Sequence, residues 1–150
     1  ISGERIMDNI VLVTGGFDPI HSGHIKLIRE ASHYGKVVVL LNSDKWLQNK
    51  KGKEFLPFYE REIIMKELKN VVDVLGFDDS DKTCIDGLRI ARKKYIKENI
   101  MFANGGDRND KTTPESVFCE ENNIELLWGV GGNDKSNSSS WILKKWNNKN

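Results

Sequence analysis

Ile10-Val11-Leu12-Val13-Thr14-Gly15-Gly16-Phe17-Asp18-Pro19-Ile20-His21-Ser22-Gly23-His24 is the stretch from which the fold of this chain is read. Its first four residues form a short, wholly apolar run of the kind that makes a strand covered on both faces. Two glycines turn the chain, and an amphipathic pattern follows from Ile25 to Ala31. A strand therefore leads through a tight turn into a helix, with two histidines three residues apart at the helix start. The first N–H groups of a helix are unpaired and carry a positive partial charge, so this end attracts phosphate. Two imidazoles there add donors that can also carry positive charge. The combination suits the polyphosphate of a nucleotide.

The same alternation continues outward. Ile10–Thr14, Val37–Leu41, Val71–Gly76, Ile100–Asn104 and Ile124–Trp128 read as buried strands. His24–Tyr34, Phe58–Leu68, Cys84–Lys97, Pro114–Asn122 and Ser139–Trp146 read as helices. Gly35 suits a position just past the first helix, Pro57 and Pro114 suit first turns, and Thr113 suits the cap before Pro114. Strands alternating with helices give an α/β fold: a Rossmann-like three-layer sandwich around a five-stranded parallel sheet with right-handed crossovers. Ligands bind such sheets at the carboxyl ends of the strands. The segments expected to converge there are Gly15–His24, Asn42–Lys53, Phe77–Lys82, Gly105–Thr113 and Gly129–Ser140.

The 150 residues fit a single domain, expected over 9–146. Residues 1–8 are expected to be a disordered N-terminus or a foreign remnant, with Met7 as a native start, and 147–150 a frayed tail. A net charge of +1 without a single-sign block argues against a dedicated nucleic-acid binder. No apolar run approaches the roughly 18–20 residues of a membrane span, and the N-terminus is too polar for a signal peptide. Cys84 and Cys119 are far apart and lack a CxxC partner, so both are expected to be buried, reduced thiols, and the setting to be cytoplasmic. No His/Cys cage predicts a structural zinc. His33 lies outside the motif and reads as a helix-surface residue.

Gly16-Phe17-Asp18-Pro19-Ile20-His21-Ser22-Gly23-His24 resembles the G-x-F-D-x-x-H-x-G-H element of the cytidylyltransferase-like nucleotidyltransferase superfamily. Further resemblances follow in order: Asn42-Ser43-Asp44, the Lys51-Gly52 pair ahead of Pro57 and Arg61, Asn104-Gly105-Gly106-Asp107, and Ser138-Ser139-Ser140. They run from Gly15 to Ser140. The nearest relatives by pattern are the sugar-phosphate adenylyltransferases of heptose activation and glycerol-3-phosphate cytidylyltransferase. Asn104, Arg108 and the segment Gly131–Asn137 depart from those relatives, which leaves the acceptor and the base undetermined. A class I tRNA-synthetase fragment, which would carry a similar H-x-G-H, fails on size and charge.

The resemblance implies transfer of CMP or AMP from CTP or ATP to a small phosphorylated sugar or polyol, with release of pyrophosphate. An acceptor phosphate is already anionic, so the chemistry needs positioned donors and cations more than a strong base. His21 and His24 are assigned to the α- and β-phosphates, with Lys51 and Arg61 as further catalytic groups. Thr14, Gly15, Gly16, Phe17, Gly23, Gly106, Asp107, Ser138, Ser139 and Ser140 are the expected nucleotide-binding set. Asp18, Asp44, Trp46, Lys50 and Arg108 are expected at the second substrate. Several keep alternatives: Asp18 can orient a histidine, bind Mg²⁺ indirectly, cap the helix or support a turn, and Lys50-Lys51 can be a solvated charge run. Arg61 can pair with Glu60 or Glu62 at the surface, and one serine of Ser138–Ser140 can be a simple cap. Mg²⁺ is expected with the triphosphate, with several waters kept and few protein ligands. Homodimers are common among such relatives. The other reading is a non-catalytic nucleotide-binding, regulatory module of the same fold.

Overall fold

The protein is described from a computed structural model, which covers residues 8–104, 113–131 and 139–147. The elements in chain order are β1 (Asn9–Gly15), α1 (Ser22–Ala31), β2 (Lys36–Leu41), α2 (Asp44–Lys51), α3 (Phe58–Glu67) and β3 (Val71–Gly76), then α4 (Ile85–Lys94), β4 (Asn99–Asn104), α5 (Pro114–Glu121), β5 (Ile124–Trp128) and α6 (Ser139–Asn147). All five strands are parallel, in the order β3-β2-β1-β4-β5. This is the expected Rossmann-like α/β sheet. Strand order reverses direction between β1 and β4, so the crevice beyond their carboxyl ends is where this architecture places a ligand.

The apolar runs are continuous because the central strands are buried on both faces. Val11 and Val13 of β1, with Val37, Val39 and Leu41 of β2, pack against Ile28 and Ala31 of α1 and Met65 of α3. Ile10, Leu12, Val38 and Leu40 alternate to the other face, against Leu88 and Ala91 of α4 and Cys119 of α5. Both cysteines are buried and unbridged.

Several boundaries differ from the sequence reading. Residues 44–51, expected as part of a basic loop, form α2. Ser43 caps it, its side chain accepting the Trp46 N–H, and Gly52 ends it at φ +94°, a left-handed conformation suited to glycine. α1 stops at Ala31 with Ser32 as its cap, so Gly35 is not the residue after the helix and His33 lies exposed beyond its end. Gly35 is instead a close-approach position: a Cβ there would lie 2.4 Å from the Asn9 carbonyl oxygen. Pro57 is the cap of α3 rather than a first-turn residue, and α6 continues through Asn147. Thr113 caps α5 as expected, with Pro114 next to it.

Candidate active site

The histidines stand at two paired positions of α1. His21 is the N-cap and His24 is the third helical residue. His21 Nδ1 accepts the Gly23 N–H at 3.0 Å, and His24 Nδ1 accepts the His21 N–H at 3.2 Å. This is a capping box in which imidazoles replace the usual hydroxyl and carboxylate. An Nδ1 that accepts cannot carry a proton, so the network places the ring proton on Nε2 of both rings. The rings stack with centroids 3.9 Å apart. Each neutral imidazole thus turns its Nε2–H edge away from the helix backbone as a donor.

The positive charge that these rings can carry is disfavoured by their surroundings in the ligand-free protein. Burial, then His21, Lys51 and Lys50, pushes the His24 pKa down to about 3. Burial also lowers that of His21. In the ligand-free protein the pair therefore consists of neutral donors. A triphosphate beside them would draw both pKa values upward, because opposite charge favours the charged form.

The turn before α1 buttresses the pair. Phe17 has φ +50°, a strained conformation for a bulky residue, and is only 4% exposed. Its ring lies edge-on to His24, with centroids 4.7 Å apart. Gly16 packs closely on α2: a Cβ there would fall 2.7 Å from Leu47 Cδ2 and 3.5 Å from the Trp46 ring, so a larger residue would displace the Leu47 side chain. Thr14 Oγ1, at the end of β1, is buried with no hydrogen-bond partner, an orphaned hydroxyl at the strand end.

Three residues expected to touch substrate are committed elsewhere. Arg61 is 1% exposed. Its Nε–H donates to Leu56 O at 2.9 Å, Nη1 to Gly16 O at 3.0 Å and Asn42 O at 2.9 Å, and Nη2 to Asp44 Oδ1 at 2.7 Å. Neither a bidentate phosphate clamp nor a surface pair with Glu60 or Glu62 fits this geometry. Arg61 instead ties together the chain after β1, the chain after β2 and the approach to α3. Asp44, expected at substrate, is the carboxylate that balances this buried cation. Asp18 is likewise corrected. Its side chain is fully buried, and its two oxygens accept the Phe55 N–H at 2.6 Å and the Leu56 N–H at 2.8 Å. It neither caps α1 nor orients a histidine.

Lys51 closes the α2 end of the site. Its Nζ donates to the Asp18 carbonyl and lies 3.8 Å from the Asp18 carboxylate. Burial lowers its pKa; Asp18 opposes that shift, and Lys50 and Arg61 add to it. Lys50 Nζ sits 4.8 Å over the Trp46 ring, which packs against the Gly16 turn. Gly15 packs on the Phe17 ring, and Gly23 is engaged through its N–H by His21. Gly106, Asp107, Arg108 and Ser138, and the side chains of Ser139 and Ser140, lie outside the described residues.

Sequence reasoning missed Asp79. It is 7% exposed and accepts Asn42 Nδ2 at 3.0 Å, Ser43 N–H at 2.8 Å and Ser43 Oγ–H at 2.7 Å. It therefore fixes the residues that launch α2 and, through α2, Lys51. Thirty-seven residues separate Asp79 from Asn42, and no local pattern signals such a contact. Among the described residues, no group of three His, Cys, Asp or Glu side chains could hold a metal ion, and no helix is long and apolar enough to cross a membrane.

Comparison with known proteins gives the family and the fold. The cytidylyltransferase-like family model matches residues 12–133. The bifunctional protein HldE of Geobacter metallireducens is 31% identical over 147 residues, covering 91% of this chain and 27% of that protein. The FAD synthase of Thermococcus sibiricus is 39% identical over 69 residues, covering 44% of this chain and 47% of that one. The chain thus spans about a quarter of the HldE proteins it matches. Among solved structures, a lipopolysaccharide core biosynthesis protein from Thermoplasma volcanium shares the fold with a TM-score of 0.65 and 21% identity, covering 85% of this chain and 99% of that one. A bifunctional NMN adenylyltransferase/ADP ribose pyrophosphatase from Francisella tularensis shares it at 0.63 and 20%, covering 96% and 43%.

Proposed function

The chain belongs to the cytidylyltransferase-like family, and on that premise we propose that it is a nucleotidyltransferase acting on a small phosphorylated acceptor. It transfers CMP or AMP from CTP or ATP to a phosphorylated sugar or polyol, such as a heptose phosphate or glycerol 3-phosphate. The observation that carries this reading is the reciprocal His21/His24 cap, which leaves two neutral Nε2–H donors at a helix N-terminus.

An acceptor phosphate oxygen forms a new bond to the α-phosphorus of the triphosphate, and the bond to the β-bridging oxygen breaks, releasing pyrophosphate. The nucleophile is already an anion, so no residue needs to remove its proton. His21 and His24 donate to the α- and β-phosphate oxygens as negative charge shifts onto the leaving group. Lys51, whose Nζ donates to the Asp18 carbonyl at the edge of the same turn, is the cation for an incoming phosphate in this reading. Thr14 Oγ1 gains a partner if a nucleotide oxygen or water meets it.

Mg²⁺ fits this scheme as a companion of the triphosphate. Asp18 is committed to two backbone N–H groups and Asp44 to Arg61, so neither carboxylate is placed to hold the ion. Mg²⁺ would arrive on the phosphate oxygens with its water shell and neutralise part of their charge. A cytoplasmic enzyme, functioning as a monomer or a homodimer, accords with these substrates.

The test is pyrophosphate release with Mg²⁺ and either ATP or CTP across a panel of acceptors. The panel holds glycerol 3-phosphate, sugar phosphates and flavin mononucleotide, the last prompted by the FAD synthase of Thermococcus sibiricus. Turnover with one nucleotide and at least one acceptor is expected. Tight nucleotide binding without turnover across the panel would favour the regulatory module.

A further inference from the structure

Asp79 follows β3, an edge strand of the sheet, and its carboxylate is buried at 7% exposure. Burying a charge costs free energy that only well-placed partners offset. Capping of α2 does not by itself require it, since Ser43 Oγ already accepts the Trp46 N–H. The residues it holds point to a different use. Its Oδ2 accepts Asn42 Nδ2 at 3.0 Å and the Ser43 N–H at 2.8 Å, and its Oδ1 accepts the Ser43 hydroxyl at 2.7 Å.

Both recipients lead to the glycine turn before α1. Asn42 is buried, and its N–H donates to Gly15 O at 3.0 Å. Its carbonyl shares Arg61 Nη1 with the carbonyl of Gly16. Ser43 starts the turn of α2 that sets Trp46 and Leu47 against Gly16. Gly15 and Gly16 in turn precede Phe17, whose ring packs edge-on to His24. The path from Asp79 to His24 therefore crosses the ends of β3, β2 and β1 through hydrogen bonds and a ring contact.

We propose that Asp79 is a positioning residue for the histidine pair: by orienting Asn42 and Ser43 it fixes the Gly15-Gly16 turn, and with it the seat of Phe17 against His24. The inference rests on the nucleotidyltransferase reading for the reaction it serves, and adds to that site a residue that acts through others. Such chemistry is sensitive to placement, and an error of about 1 Å costs up to about 10²-fold in rate. A role in geometry differs in sign from a role in charge. Loss of a nearby negative charge would lower the His24 pKa further. Loosened packing around the ring would admit water and raise it toward 6.5. The titratable groups acting on His24 are His21 on α1 and Lys51 and Lys50 on α2, and all of them lower its pKa.

NMR titration of the His24 ring in the whole chain, with kcat and KM from pyrophosphate release, tests it. In Asp79→Ala the His24 pKa is expected to rise from about 3 toward 6.5, by about one pH unit or more. In the same variant kcat should fall by about tenfold or more, with the nucleotide KM within about threefold of the wild type. Asp79→Asn is the rescue. Its Oδ1 can accept from Asn42 and Ser43 while its Nδ2 donates to Ser43 Oγ, so both readouts should stay near the wild type. Leu88→Ala, in the core on the other face of the sheet, controls for lost stability and should leave both readouts in place. If Asp79→Ala does not fold, Asn42→Ala cuts the same link at its next residue and is read instead. The proposal is overturned by an unchanged or lowered His24 pKa or an unaltered kcat in the alanine variant, by an asparagine variant that behaves like it, or by the same rise in Leu88→Ala. The titration needs no turnover, so a wild type that releases no pyrophosphate would count against the enzyme reading alone.

Discussion

Replacing His24 with alanine is expected to lower kcat for pyrophosphate release by about 10²–10³-fold while the domain stays folded. The factor is that of losing one preorganised donor to developing negative charge, roughly 3–4 kcal/mol. The α1 dipole remains in the variant but contributes only about 0.3–1 kcal/mol where exposed, so it cannot compensate. The lost cap interaction with the His21 N–H costs about 1 kcal/mol of stability, a shift of a few degrees in Tm. The variant should also differ in its response to acid. His24 has an ordinary pKa of 6.5 when unfolded and one pushed down to about 3 in the fold. Between those values the unfolded state binds a proton that the folded state does not, so stability falls as pH drops below 6.5. One such group contributes a slope of up to about 1.4 kcal/mol per pH unit. His24→Ala removes that contribution, and denaturant midpoints measured from pH 7 to pH 4 should decline less steeply than those of the wild type. Turnover near the wild-type rate would remove His24 from the chemistry.

Replacing Arg61 with alanine is expected to destabilise the fold by about 3–5 kcal/mol, a large part of the roughly 5–15 kcal/mol that holds a domain of this kind together. The reason lies in what the guanidinium touches. Its removal leaves Gly16, Asn42 and Leu56 with carbonyls that lose their donors, and leaves Asp44 without its cation. Each unsatisfied buried group costs about 1–3 kcal/mol, less where water reaches it. Arg61→Lys should recover little, since one ammonium on a flexible stem cannot span three carbonyls and a carboxylate. Urea unfolding at pH 7 reads the effect as a lower midpoint with an unchanged slope. A surface phosphate clamp would behave in the opposite way: stability within about 0.5 kcal/mol of the wild type and a raised KM.

The contrast between these two residues shows what can be read from the chain alone. The strands were legible because the core runs are wholly apolar, and both faces of β1 and β2 are buried. The histidine pair was legible because strand, glycine turn and helix follow one another within fifteen residues. What escaped depends on contacts between distant segments. Arg61 has the charge and approximate place of a phosphate ligand, and only its burial, with Gly16 lying 45 residues away, reveals a structural tie. Asp18 reads as a motif acid, yet its partners are the N–H groups of Phe55 and Leu56. Helix α2 carried its own signals, Ser43 as cap, Asp44 in the first turn and Gly52 as terminator, but the lysine-rich end of the segment suggested a loop. The protonation of the histidines could not be read at all, since it follows from which ring nitrogen faces the backbone.

In the proposed mechanism His21 and His24 are neutral donors that present Nε2–H to phosphate. The direct measurement is ¹⁵N-edited NMR of the histidine rings at pH 7, with and without Mg²⁺ and a nucleoside triphosphate. Two rings protonated at Nε2 and bare at Nδ1 are expected in the free protein, with large shifts at Nε2 when the nucleotide binds. Imidazolium signals in the free protein, protons on Nδ1, or Nε2 resonances unmoved by saturating nucleotide would contradict it.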